Sequence, residues 1–175
     1  MRNVNLHIAG TEYSLKNKSY EIYIQGCFHN CRGCHNPETH DFEGGKEITN
    51  AKFLEEQRKK VDKFPTLIDN IYISGGDLLC SGSEVAEQFS NMLRFYFPDK
   101  ILWLFTGFRE CFLPVWVWWY YDILKCGGYD DEQLNPIGSF PASKNQKLIF
   151  NTNRRNNKLL ATYNNTKFMG EKIWR

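Results

Sequence analysis

Tyr20-Glu21-Ile22-Tyr23-Ile24-Gln25 runs directly into Gly26-Cys27-Phe28-His29-Asn30-Cys31-Arg32-Gly33-Cys34. The first part is β-prone and stops at Gly26, which predicts a strand. The second opens a stretch to Gly45 that is punctuated by glycine and proline and has no sustained period, which predicts a long functional loop. That loop carries thiols spaced CxxxCxxC at Cys27, Cys31 and Cys34. Three thiolates so spaced can wrap one [4Fe–4S] cluster and leave its fourth iron without a protein ligand, whereas electron-transfer clusters are held by four cysteines. An iron left open in this way can bind a substrate.

Outward from the loop, Phe53, Leu54, Gln57, Val61 and Phe64 recur at helical spacing, with Thr49 or Asn50 as N-cap and Pro65 as terminator. Ile71-Tyr72-Ile73 predicts a strand running into Ser74-Gly75-Gly76-Asp77. Ser81 to Glu84 then offers a capping box for a helix presenting Val85, Phe89, Met92, Leu93 and Tyr96 on one face. Ile101 to Phe105, Tyr120 to Leu124 and Lys147 to Phe150 are further strand candidates. Strands alternating with helices imply an α/β fold built of parallel units. A closed eight-unit barrel needs about 250 residues, so about four to six units here predict a partial, open barrel with its site at the C-terminal strand ends. Both glycine turns and the cysteine loop fall at such ends.

The 175 residues, 42% of them hydrophobic, suit one packed domain. A formal net charge of +2 is too mild to argue for nucleic acid or an anionic membrane as partner. Met1 to Gly10 has no secretory pattern, and the apolar run Phe112 to Leu124 is too short to span a bilayer, so a soluble, cytoplasmic protein is expected. Three of the six cysteines crowd into the loop, which points to metal rather than disulfides; Cys80, Cys111 and Cys126 stand far apart and read as small buried residues. Residues 151–175 are Asn-rich and basic and read as a solvated tail, with a contact role as the alternative. Trp116 to Tyr121 reads as core, with a docking face as the alternative.

A Cys₃His zinc site completed by His29, His35 or His40 is the rival use of the same thiols. It lacks the second paired CxxC of a zinc ribbon, and the glycine turns elsewhere suit a nucleoside-like ligand.

The segment from Gly26 to Asn36 resembles the cluster loop of the anaerobic ribonucleotide reductase activating proteins, which are radical S-adenosylmethionine enzymes. Four later stretches keep that family's order: Ser74 to Asp77, Trp103 to Phe108, Asp122 to Gly127, and Ala142 to Gln146. The resemblance covers the chain from Tyr20 to Ile149. Leu78 stands where the family often has proline, Gly127-Gly128-Tyr129 replaces a more usual Gly-x-Phe, and no Gly-Pro-Gly precedes the first strand.

The resemblance implies a radical S-adenosylmethionine type of partial β/α barrel, with a core from about residue 20 to 150. Cys27, Cys31 and Cys34 would ligate one [4Fe–4S] cluster. Gly33 and His35 would line S-adenosylmethionine beside Cys34, and Gly75 and Gly76 would meet its methionine amino group. Thr106, Ser143, Asn145 and Gln146 would lie near its ribose and carboxylate, although ordinary loop hydrogen bonding is a competing use of Asn145 and Gln146. The implied activity is generation of a 5′-deoxyadenosyl radical that installs a glycyl radical on anaerobic ribonucleotide reductase, with a flavodoxin- or ferredoxin-type electron donor. The rivals are an activase of another glycyl-radical enzyme, a small radical enzyme acting on a nucleoside-like metabolite, and a zinc-stabilised binding module.

Overall fold

The computed structural model describes residues 5–152; the basic stretch from Arg154 to Arg175 lies outside the described residues. In chain order the elements are β1 (Asn5–Ser14), β2 (Ser19–Ile24), β3 (Lys46–Thr49), α1 (Asn50–Val61), β4 (Asn70–Gly75), α2 (Ser83–Tyr96), β5 (Ile101–Thr106), α3 (Val117–Tyr120), β6 (Ile123–Cys126) and β7 (Lys147–Phe150). The strands form one open, seven-stranded sheet in the order β3-β1-β2-β4-β5-β6-β7. Its centre is parallel, with Ile22 opposite Ile73, Ile71 opposite Leu102, and Leu104 opposite Leu124. The flanks are antiparallel: β1 pairs with β2 and β3, and β7 with β6.

Period-two alternation sorts the strand residues between two faces. Ile22, Ile24, Ile71, Ile73, Leu102, Leu104 and Leu124 meet the apolar stripes of the helices, including Leu54, Val61, Ala86, Phe89 and Leu93. Each large side chain buried there is worth about 1.5–3 kcal/mol of transfer free energy. Trp116, Val117 and Tyr121 join this core, while Trp119 is exposed, so the aromatic run is divided between packing and surface. The opposite face carries Tyr72, Ile101, Trp103 and Ile123, packed by Phe105, Phe140, Leu148 and Phe150. No helix among the described residues is long and apolar enough to cross a membrane.

Several expectations shift. β1 and β3 are additions on the N-terminal side; a register break between Ile8 and Gly10 interrupts the alternation by which β1 would have been recognised. The strand expected from Tyr120 begins instead at Ile123. Tyr121 N–H closes the short α3 turn on the Val117 carbonyl, and the Tyr120 carbonyl accepts from Arg94, so neither group is free for a ladder. The capping box at α2 is absent. Gly82, at φ 94°, occupies the cap position, and no side chain caps the helix.

Candidate metal centre

The parallel strands β2, β4, β5 and β6 end at one rim, and the loops that leave them line a cleft of about 140 Å³. Cys27, Cys31 and Cys34 all face this cleft, together with His29, His35, Gly75, Gly76, Thr106, Lys125 and Gln146. The cysteine loop is tied down along its length. Gly26 N–H donates to the Thr39 carbonyl at 2.8 Å, Cys27 N–H to the His40 carbonyl at 3.2 Å, and Cys34 N–H to the Cys31 carbonyl at 3.1 Å. The buried Gln25 amide donates to the carbonyls of Glu38 and Asp41, bracing the loop against the end of β2.

Each thiol has its own surroundings. The Cys80 thiol lies within 4.8 Å of that of Cys27, and the contact between them draws the pKa of Cys27 down and pushes that of Cys80 up. Burial raises the pKa of Cys31. A Cβ at Gly128 would stand 3.1 Å from the Cys31 sulfur, so glycine lets the β6 loop approach this thiol closely. Cys34 Sγ lies 3.3 Å from His40 Nε2. The expectation that the other cysteines are small and buried holds for Cys126, which burial pushes up to about 12; Cys111 is exposed, and Cys80 is half-buried against Cys27.

Asp77 organises the rim. Its carboxylate is 2% exposed, and one oxygen, Oδ2, lies 2.8 Å from each of Thr106 Oγ1, Gly107 N and His29 Nε2. The other accepts from Leu79 N–H at 3.0 Å. The hydrogen bond to Asp77 outweighs burial and raises the pKa of His29. Gly107 makes room for this arrangement, since a Cβ there would fall 2.4 Å from the His29 ring. Gly76 is required by backbone, because a Cβ would meet the Gly26 carbonyl oxygen at 2.5 Å.

The remaining expected residues divide. Thr106 and Gln146 line the cleft, but the Thr106 hydroxyl is spent on Asp77. Gln146 Nε2 donates to the Gly127 carbonyl, Asn145 Nδ2 to the Gly128 carbonyl, and Ser143 Oγ accepts from Asp130 N–H. These three fasten the β6–β7 connection, and Ser143 and Asn145 do not line the cleft. Gly33, at φ 68°, packs its open side against the Asp131 carboxylate, which pairs with Arg32 at 3.1 Å. The His35 ring lies 4.5 Å from that of Tyr129.

Sequence reasoning gave no role to Asp77 or Lys125, and named His40 only as a fourth ligand of the rival zinc site. Asp77 was visible only as the last residue of a strand-end turn. Lys125 is half-buried on β6 at the cleft, its ammonium 5.3 Å from the Phe105 ring centroid, and desolvation lowers its pKa.

The donor chemistry fits an iron–sulfur cluster: three thiols on one loop, at an open strand-end mouth, with the half-buried Lys125 nearby. Ser74 Oγ is also buried at this cleft with no hydrogen-bond partner among the described residues, as expected of a polar group that meets a ligand. Fold and site together define an iron–sulfur protein of mixed α/β architecture. Within that class, the chain belongs to the 4Fe-4S single cluster domain family, whose model matches residues 18–149.

Relatives share this span. The anaerobic ribonucleoside-triphosphate reductase-activating protein of Enterobacteria phage T4 is 29% identical over 135 residues, covering 75% of this chain and 83% of its own. The protein of the same name from Vibrio cholerae is 29% identical over 138 residues, covering 73% and 84%. The pyruvate formate-lyase-activating enzyme of Clostridium pasteurianum is 42% identical over 67 residues, 38% of this chain and 25% of its own.

Proposed function

We propose that the chain is a radical S-adenosylmethionine enzyme that installs a glycyl radical on an anaerobic, class III ribonucleotide reductase. The observation that carries this reading is the convergence of Cys27, Cys31 and Cys34 on a cleft that also holds the unpartnered Ser74 hydroxyl and the Lys125 ammonium. The relatives named above, similar over three quarters of the chain, supply the choice of reductase. With a [4Fe–4S] cluster on the three thiolates and S-adenosylmethionine on its open iron, one electron would release a 5′-deoxyadenosyl radical able to take hydrogen from a glycine Cα.

The chain's own part is to bind and orient. Cys27, Cys31 and Cys34 hold the cluster on a loop braced by Gln25 and Asp77. Gly75 and Gly76 bring strand-end backbone beside the methionine amino group, with Ser74 Oγ as a further polar contact. Lys125 supplies a counter-charge for the ligand carboxylate, in surroundings where a charge acts more strongly than in water. Gly33 and His35 border the ligand beside Cys34, Thr106 lies near the ribose through its tie to Asp77, and Ser143, Asn145 and Gln146 hold the wall formed by Gly127 and Gly128. The open sheet would then be a partial radical-enzyme barrel, one domain with its mouth free to receive a loop of a protein substrate. A small flavodoxin or ferredoxin in the cytoplasm fits as electron donor.

Anaerobic reconstitution tests this. About four irons and four sulfides per chain are expected, with 5′-deoxyadenosine formed on reduction with S-adenosylmethionine and a glycyl-radical resonance on mixing with the reductase. An intact cluster that releases no 5′-deoxyadenosine would defeat the reading, and zinc without sulfide would favour the binding module. The stretch shared with the pyruvate formate-lyase-activating enzyme supports a second partner, and a resonance on a lyase but not on a reductase would select it.

A further inference from the structure

Cys80 has no place among the three loop thiols, yet the fold carries it to them. The short 3₁₀ turn Leu78–Ser81 begins at Asp77, whose side chain accepts from Leu79 N–H, and this turn brings the Cys80 thiol within 4.8 Å of that of Cys27. His29 completes a triangle. The donor atoms of Cys27, His29 and Cys80 all lie within 4.8 Å of one another, and all three residues are only partly buried. In a tetrahedral zinc site, ligand bonds of about 2.0–2.3 Å set donor separations near 3.5–3.8 Å, so no pair needs to close by more than about 1.3 Å.

A second observation concerns the orientation of His29. Its Nε2 lies 2.8 Å from Asp77 Oδ2, on a carboxylate fixed by Thr106 and Gly107, which leaves Nδ1 as the free ring nitrogen. Metal-ligating histidines characteristically pass their other nitrogen to such a carboxylate, which sets the tautomer and strengthens the imidazole as a donor. Two thiolates and one imidazole form a soft set suited to zinc, with a fourth position left for water.

We propose that the cluster-free chain binds one thiophilic divalent cation of the zinc class on Cys27, His29 and Cys80, with Asp77 orienting His29. Cys31 and Cys34 take no part. Because Cys27 is shared, the cation and the cluster exclude one another. That competition rests on the ligand set proposed above, whereas the cation site does not. Cys80 thereby acquires a role confined to the cluster-free protein, where zinc occupancy blocks assembly.

The test is titration of the anaerobic, cluster-free full chain with Co²⁺, read by thiolate-to-cobalt charge transfer and tetrahedral d–d absorption. One equivalent should bind, with charge-transfer intensity for two thiolates, and Zn²⁺ should displace it. Cys80→Ala and Cys80→Ser should each weaken binding at least ~10-fold, while Cys34→Ala leaves it unchanged. Unaltered binding in both Cys80 variants, or an equal loss in Cys34→Ala, would overturn the site and assign the cation to the loop thiols. Cys80→Ala should also take up iron and sulfide as the wild type does, and more completely when zinc is present. A wild type that builds its cluster but shows no cobalt site defeats this proposal alone. One that binds cobalt as described but never holds a cluster defeats the radical reading alone.

Discussion

The hydroxyl of Thr106 lies 2.8 Å from the carboxylate of Asp77, joining the ends of β5 and β4 beneath the cysteine loop. The same carboxylate oxygen meets Gly107 N–H and His29, so one buried group fastens three segments of the rim. Hydrogen bonds to a charged group contribute about 1.5–3 kcal/mol each, and donors left unpaired in the interior carry a desolvation penalty. Asp77→Ala should therefore lower stability by about 3 kcal/mol and reduce the iron retained after reconstitution. Urea unfolding and iron analysis check this; wild-type values for both would show that the rim does not depend on Asp77.

Glycine replacements should rank by what the new Cβ meets. Gly76→Ala places it 2.5 Å from a backbone oxygen, which cannot turn aside, and should cost about 2–3 kcal/mol. Gly107→Ala meets the His29 ring, a side chain able to rotate at the expense of its bond to Asp77, and should cost about 1–2 kcal/mol. Gly10→Ala meets nothing within 4 Å and should be neutral or slightly stabilising. Denaturation midpoints of the three variants give the order directly, and a reversed order would contradict the packing described.

Lys125 sets stability against binding. Its ammonium is half-buried beside Phe105 and has no hydrogen-bond acceptor among the described residues. Burial lowers its folded-state pKa below the unfolded value, so below both values the folded state bears a penalty. Stability then rises with pH between the folded value and ~10.4 in the unfolded chain. Lys125→Met should stabilise the cluster-free protein at pH 7 by on the order of 1 kcal/mol, and the gap to wild type should close as the pH approaches ~10.4. The same variant should weaken S-adenosylmethionine binding at least ~10-fold, since a charged contact is worth at least 1.5 kcal/mol. Chemical denaturation across pH and calorimetric binding to the reconstituted protein test the two halves separately.

Beneath the sheet, Arg94 and Asp122 form a second polar centre at 2.6 Å. Asp122 also accepts from Leu102 N–H, and Arg94 donates to the Tyr120 and Lys100 carbonyls. Removing one partner strands the other in the interior. Asp122→Ala should destabilise by about 3–5 kcal/mol, and Arg94→Met, which removes the guanidinium while keeping much of the stem, should do likewise. A loss under ~1 kcal/mol, the range of exposed ion pairs, would place this pair with the surface bridges.

The elements legible in the sequence were those written in one local period. Leu54, Gln57 and Val61 are buried along α1 as their spacing predicted, and Ile71 to Ile73 lies within the central parallel sheet. Where the period breaks or a long-range bond intervenes, local reading failed. The register break in β1 hid that strand, and the Arg94 bonds to the Tyr120 carbonyl displaced the start of β6.

The cysteine loop shows the same division at the site. Cys27, Cys31 and Cys34 occupy one short loop, so their spacing alone brings three thiols together, and no distant segment was needed to propose a cluster-binding set. Their surroundings belong to the tertiary structure. His29 reaches Asp77 across 48 residues and Asp77 reaches Thr106 across 29, separations closed only when parallel crossovers bring successive strand ends to one rim. Cys80 meets Cys27 by the same route. Within the loop, covalent connectivity limits how far the thiols can separate, whereas the distant partners meet only because folding the sheet offsets the chain entropy of joining them.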